Sequence, residues 1–326
     1  MVETTLVTGA NGLIGYEVVK RLVAAGRRVV AVDRSITEVA SLTPDAHALE
    51  IGDTHRLHEI ANRYGVDAIV HCGGVSGPML GRDNPAALFE INVGGTLDVA
   101  EVARQRGLLS GTPCRLIFCS SLTVYGSQEQ DDIGEATPLL TRQCYASSKV
   151  AGEAIALSYA AEHGVDAIVL RIAGVYGPRR RTACVLRQMI TDALEGRATD
   201  LPFGEGFPRQ WVYVDDIIDG ILLALEVRAP QMRVFNLSAG ENPTIDQAAA
   251  LIRAALPQAR ITLAPGADPE DVTLGRLSIA AAARHLGYAP KVTLKSGIQR
   301  LIQSIQNDLA GVSSTGTTDE EGDLKT

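Results

Sequence analysis

Tyr145-Ala146-Ser147-Ser148-Lys149 is the stretch of this chain whose residue types and spacing promise proton chemistry. Positions four apart share one face of a helix, so the spacing sets the Tyr145 phenol beside the Lys149 ammonium. A phenol with a pKa of about 10 is a poor base at neutral pH, and a fixed positive charge nearby stabilises the phenolate. Tyr145 can then exchange a proton with a substrate alcohol. Tyr and Lys at this spacing also form ordinary surface pairs. Weight comes from the upstream run Cys119-Ser120-Ser121-Leu122-Thr123-Val124-Tyr125-Gly126, which ends a strand pattern and delivers hydroxyls at the carboxyl edge of a sheet, where ligands bind. Ser121 is expected to hydrogen-bond the reacting oxygen, with Ser120 the alternative one residue away and Thr123 a contact to substrate.

A second constellation handles phosphate. Thr8-Gly9-Ala10-Asn11-Gly12-Leu13-Ile14-Gly15 follows a strand pattern and opens a helix. Gly9 suits the tight turn, Gly12 the close approach of the main chain to a pyrophosphate, and Gly15 close helix–strand packing, with the anion on the positive end of the helix. Asp33 ends the next strand pattern, where a carboxylate accepts from the adenosine ribose hydroxyls and repels a 2′-phosphate. NAD is therefore expected rather than NADP. Arg34 keeps NADP open, because an arginine there is either a solvated loop residue or a partner for that phosphate.

These residues need a scaffold that brings strand ends together. From Thr4 to about Arg171, β-branched runs alternate with helical patterns, the signature of βαβ units and a parallel sheet covered on both faces. Strands are expected at Thr5–Thr8, Arg28–Val32, Ala48–Ile51, Ala68–His71, Arg115–Cys119 and Ala167–Arg171. Helices are expected at Leu13–Ala25, Arg56–Tyr64, Pro85–Arg106 and Tyr145–Glu162. The fold class is α/β, a doubly wound Rossmann-type sheet over residues 1–176. A smaller substrate-binding α/β lobe over 177–310 packs closely on it and partly returns to it. In that lobe the patterns give a helix near Cys184–Glu195, strands at Trp211–Val214 and Val234–Leu237, and helices from about Thr244 and Leu294. Residues 311–326 are Ser, Thr, Gly and acid, too polar to offset their ordering entropy, and read as a mobile tail.

Composition narrows the partners. The 326 residues are 46% hydrophobic, enough for a large core, and a net charge of −8 argues against nucleic acid. Five cysteines without a C-x-x-C pair indicate neither a disulfide framework nor a metal site, and mostly buried thiols are expected. No apolar run is long enough to span a bilayer and no signal-peptide pattern is visible, so a cytoplasmic protein without membrane partners is expected.

Taken together, the motifs resemble the extended short-chain dehydrogenase/reductases, specifically the NAD-dependent epimerase/dehydratase group. The resemblance covers about residues 4–310. It is carried by T-G-A-N-G-L-I-G, Asp33, Gly52-Asp53, His71-Cys72-Gly73-Gly74, Asn92, S-S-L-T-V-Y-G, Y-A-S-S-K, Arg171 to Pro178, Arg209 to Asp216 and Leu286-Gly287-Tyr288-Ala289-Pro290. It implies Tyr145 as base, Lys149 on the nicotinamide ribose and Ser121 orienting a secondary alcohol for hydride transfer. It also implies Asp53 against the adenine, Gly73 and Gly74 along the cofactor, and Asn92 either ordering the active site or packing a helix. Family habit further implies a homodimer through the helices Pro85–Arg106 and Tyr145–Glu162.

Resemblance also bears on the substrate. Gly174 stands where nucleotide-sugar enzymes of the group have a substrate-contacting Asn. Asp268 stands where they have a diphosphate-binding Arg, and Ser278 where a later motif has Asp, with Arg276 close enough to compensate. Arg209 is the strongest candidate for an anion contact, and Arg179-Arg180-Arg181 either form a second, with Arg179 the candidate, or are solvated. Leu122-Thr123 replaces the Asp-Glu pair of the dehydratases, so dehydration is disfavoured. The expectation is a sugar or nucleotide-sugar epimerase resembling the sugar 4-epimerases. The alternatives are a dehydrogenase of an anionic sugar or sugar acid and, in another class, a non-catalytic NAD-sensing or scaffold protein.

Overall fold

Short β-branched segments that are buried along their whole length dictate the architecture. β1 (Thr4–Thr8) and β4 (Ala68–His71) have no exposed residue, as strands covered on both faces require. In the computed structural model, which describes residues 3–77, 80–269 and 271–315, they sit side by side in a seven-stranded sheet. Its other strands are β2 (Arg28–Asp33), β3 (Ala46–Ala48), β5 (Arg115–Ser121), β6 (Asp166–Ile172) and β7 (Val234–Leu237). The order is β7-β6-β5-β4-β1-β2-β3 and every pairing is parallel. Strand order reverses between β1 and β4, which opens a crevice at their carboxyl ends.

Helices cover both faces. α1 (Leu13–Ala24) and α5 (Val214–Glu226) lie on one face, joined at their surface by Arg21 and Asp219 at 2.5 Å. α2 (Thr54–Arg63), α3 (Gly95–Ser110) and α4 (Cys144–His163) cover the other. Two apolar cores result, one on each side of the sheet. Beyond β6 the chain adds short parallel pairs, Gly174–Tyr176 with Trp211–Tyr213 and Ala198–Glu205 with Arg260–Pro265, above the carboxyl edge.

Several expected elements differ. The third strand forms at Ala46–Ala48 instead of Ala48–Ile51: the chain leaves the sheet after Ala48, turning Leu49 and Ile51 toward the crevice. The helix expected across Pro85–Arg106 is broken. An α-helical turn Pro85–Phe89 passes into a π-helical turn Glu90–Gly94 before α3, and α3 runs on to Ser110, where Gly111 adopts φ 71°. α5 was not anticipated, and β7 belongs to the main sheet. The last helix runs Leu294–Thr315, so the start of the expected mobile tail is helical, and 316–326 lie outside the described residues. Of the cysteines, Cys114 and Cys119 are buried, Cys72 and Cys184 half-buried, and Cys144 exposed at the first position of α4. Among the described residues no helix is long and apolar enough to cross a membrane, and no cluster of metal-ligating side chains occurs.

Candidate active site

The β1–α1 turn is shaped for a ligand's phosphates. Gly9 has φ 64°, and a Cβ there would stand 2.7 Å from the Cys72 carbonyl, so only glycine lets β1 and β4 close up. A Cβ on Gly15 would meet the Gly9 oxygen at 2.1 Å, and one on Gly12 would stand 3.1 Å from the same oxygen. Asn11 and Asp33 lock the turn to the end of β2. The Asn11 amide donates to Asp33 Oδ2 at 3.0 Å, the Ser35 amide to Asp33 Oδ1 at 3.1 Å, and Asn11 Oδ1 accepts from the Val39 amide at 3.0 Å. The carboxylate is thus held at the crevice with acceptor capacity to spare. Leu13, Ile14, Arg34, Gly73 and Gly74 line the same crevice, a cleft of about 660 Å³.

The reaction centre lies on the next carboxyl edge. Tyr145, Lys149, Ser121 and Thr123 all line the cleft. Lys149 is buried, its Nζ donating to the Cys119 carbonyl at 3.0 Å and sitting 5.2 Å from the Phe118 ring centroid. Successive strand residues point to opposite faces, and that separates the two candidate serines. Ser120 donates to the buried Glu153 at 2.5 Å, which in turn pairs with Arg171 at 2.8 Å. Ser121 Oγ accepts from the Thr123 amide at 3.2 Å and the Thr123 hydroxyl at 3.0 Å. Its own proton therefore stays available to a substrate oxygen, whereas that of Ser120 is committed to the core.

A hydrogen-bond chain ties turn to centre. Thr8 Oγ1 meets His71 Nδ1 at 2.7 Å, His71 Nε2 meets Thr96 Oγ1 at 3.2 Å, and Thr96 donates to the Asn92 carbonyl at 2.6 Å. The Thr96 proton being so committed, Thr96 accepts from Nε2–H and Thr8 donates to Nδ1. Burial, with the Lys149 charge adding to it, pushes His71 down to about 3, so the ring is neutral. Asn92, in the π-helical turn, accepts from the Val75 amide at 2.8 Å and donates to Ser148 Oγ at 2.9 Å. It fastens the Gly73–Gly74 loop to α4, an ordering role. A Cβ on Gly74 would stand 2.6 Å from its Oδ1.

The arginines divide. Arg179 pairs with Glu38 at 2.5 Å, reaches the Asn11 carbonyl at 3.4 Å and stacks 3.5 Å over Tyr16. Arg181 pairs with the same Glu38, and Arg180 donates to the carbonyls of Val175 and Ala183 at 2.6 and 3.0 Å. This cluster stands over the dinucleotide turn. Arg209 lines the far end, held by Asp268 at 2.7 Å and Asp271 at 2.9 Å. Gly174 lines the cleft between them, its amide bonded to the Gln210 carbonyl at 2.8 Å, with that carbonyl oxygen 3.0 Å from any Cβ it might carry.

Two expected site residues are turned elsewhere. Asp53 is outside the cleft lining and caps α2, accepting from the Arg56 amide at 3.1 Å, and Leu49 to Ile51 line the cleft in its stead. Arg276 is exposed and pairs with Asp132 at 2.8 Å, where the short pairing of Arg276–Leu277 with Asp132–Ile133 directs it, so it does not compensate at Asp268. Glu38 and Asp271 were missed. Glu38 carries no local signal, and Asp271 sits in an acidic loop that reads as solvent-facing until Arg209 is set beside it.

This geometry agrees with comparison to known proteins. The sequence profile of the NAD dependent epimerase/dehydratase family matches residues 5–238. The chain belongs to that family. UDP-glucose 4-epimerase of Thermotoga maritima, solved with UDP-glucose, superposes with a TM-score of 0.85 at 27% identity, covering 94% of this chain and 99% of that one. The Thermus thermophilus UDP-glucose 4-epimerase complex with NAD gives 0.81 at 26%, covering 93% and 99%. UDP-glucuronate 4-epimerase of Thermodesulfobacterium geofontis is 25% identical over 316 residues, covering 91% of this chain and 94% of that protein. This family member is an NAD-dependent enzyme, which sets aside a non-catalytic sensor. The turn through Gly9, Gly12 and Gly15, where a Cβ would crowd the backbone at each position, and the backbone-held Asp33 fit the NAD that the family uses.

Proposed function

We propose that the enzyme epimerises a secondary alcohol carbon of a sugar, with Tyr145 as acid and base, Lys149 and Ser121 beside it, and no net redox change. The observation carrying this reading is the convergence of Ser121, Thr123, Tyr145 and Lys149 on the cleft that also holds the glycine turn. NAD bound in the cleft would supply a reversible hydride acceptor for that carbon. Lys149, buried on α4 one turn from Tyr145, stabilises the Tyr145 phenolate, which accepts the alcohol proton while Ser121 donates to the same oxygen. Gly9 to Gly15 with Asp33 would hold the adenosine half, and Arg179, above the same turn, would face the pyrophosphate. A homodimer through α3 and α4 accompanies the reading, supported by Leu97 and Leu108, which α3 leaves exposed.

Incubating the enzyme with sugars and a catalytic amount of NAD should give the epimer without accumulation of reduced cofactor. Tyr145→Phe should lower that turnover by about 10²–10⁴-fold, the usual contribution of a positioned acid–base group. Undiminished turnover in Tyr145→Phe would refute the assignment. A second reading, a dehydrogenase of a sugar or sugar acid, is favoured by the engagement of Arg209 with two carboxylates, unlike a ready phosphate site. Stoichiometric reduced cofactor would select it.

A further inference from the structure

Charge is distributed unevenly along the cleft. Three arginines, Arg179, Arg180 and Arg181, cluster over the dinucleotide turn with Glu38 as the carboxylate that pairs two of them. At the other end, beyond Gly174, Arg209 is spanned by two carboxylates, Asp271 on Nε and Asp268 on a terminal nitrogen. The Arg209 side chain is 16% exposed and that of Asp268 5%, so this ion group is mostly out of water. The anion-receiving end of the cleft is therefore the cofactor's own. At the substrate end the cleft-lining arginine, Arg209, is already engaged by carboxylates.

A diphosphate entering there would meet the Asp271 carboxylate beside the guanidinium, and drawing Arg209 toward it would break the Arg209 pairs with both Asp271 and the buried Asp268. Breaking a buried pair in this way opposes binding by on the order of a hundredfold or more. Sugar hydroxyls make the opposite demand. Each donates one hydrogen bond and accepts others, and a carboxylate next to a guanidinium offers both partners side by side. Asp271 lines the cleft with Trp211 and Leu274, an acceptor beside an apolar wall suited to the carbon face of a sugar.

We propose that the substrate is a polyhydroxylated compound of sugar size that carries no nucleoside diphosphate, read at its far end by Arg209 and Asp271. This rests on the hydride-transfer reading above and names its substrate class. Titration calorimetry of the NAD-saturated enzyme with UDP tests it directly. Wild-type protein should bind UDP weakly, with Kd above about 1 mM, and Asp271→Asn or Asp268→Asn should each tighten binding by about tenfold as a repelling charge is removed. Micromolar binding of UDP by the wild type, or no gain in the half-buried Asp271→Asn variant, overturns the inference. A parallel turnover panel sets unphosphorylated aldoses, polyols and sugar acids against UDP-glucose. Conversion of UDP-glucose that Tyr145→Phe abolishes removes the substrate class and leaves the hydride chemistry standing. Conversion of an unphosphorylated sugar that survives Tyr145→Phe does the reverse.

Discussion

His71 should make the fold acid-sensitive in a way one substitution removes. Its ring is buried between Thr8 and Thr96, and its folded-state pKa is about 3 against 6.5 for an unburied ring. Between those values the unfolded chain binds a proton that the folded chain refuses. The contribution is thus complete above pH 6.5 and lost as pH falls toward 3. The loss amounts to roughly 2 kcal/mol at about pH 5 and roughly 3 kcal/mol at about pH 4. Protonation would also force the Thr8 hydroxyl to turn, at the base of the Gly9 loop, where Thr8 Oγ1 accepts from the Gly73 amide at 3.2 Å. His71→Gln keeps a donor for Thr96 and an acceptor for Thr8 without titrating in this range. Urea denaturation of both proteins over that pH range isolates the term, because the carboxylates that titrate there are common to both. The wild-type curve should fall more steeply than the variant's. Parallel curves would refute the account.

Two further outcomes follow from close packing. Gly15→Ala sets a Cβ 2.1 Å from the Gly9 oxygen, and NAD affinity by calorimetry should fall by roughly a hundredfold, an unchanged Kd counting against the turn geometry. Glu153→Gln removes the anion facing buried Arg171 and should cost roughly 3–5 kcal/mol in chemical denaturation, where a loss below about 1 kcal/mol would mean the pair contributes little.

What could be read from the chain before its fold was known is what local chemistry requires. Three glycines are needed to bring a turn against a neighbouring strand, and a phenol needs an ammonium one helical turn away. Both leave a spacing on the sequence. The distinction between Ser120 and Ser121 did not, because it depends on Glu153 lying behind the strand. Asp53 and Arg276 were assigned by alignment alone, and each has a closer partner, the start of α2 and Asp132. The π-helical turn at Glu90–Gly94 is invisible to a helical pattern, since its extra residue serves Asn92's reach to Val75 and Ser148. Glu38 could not be anticipated because its partners, Arg179 and Arg181, come from the far side of β6.

The ion group at Arg209 belongs to a stretch of chain different from the one that carries the reacting groups. Glycine turn, Asn92, Ser121, Tyr145 and Lys149 are all supplied before residue 150, while Arg209, Asp268 and Asp271 come from loops above the sheet edge. If Arg209 and Asp271 read the substrate as proposed, changes in those loops would alter which molecule is accepted without moving the groups proposed to relay the proton. A lineage built this way can explore new metabolites at constant catalytic machinery. The division marks the upper loops as the place to re-engineer selectivity.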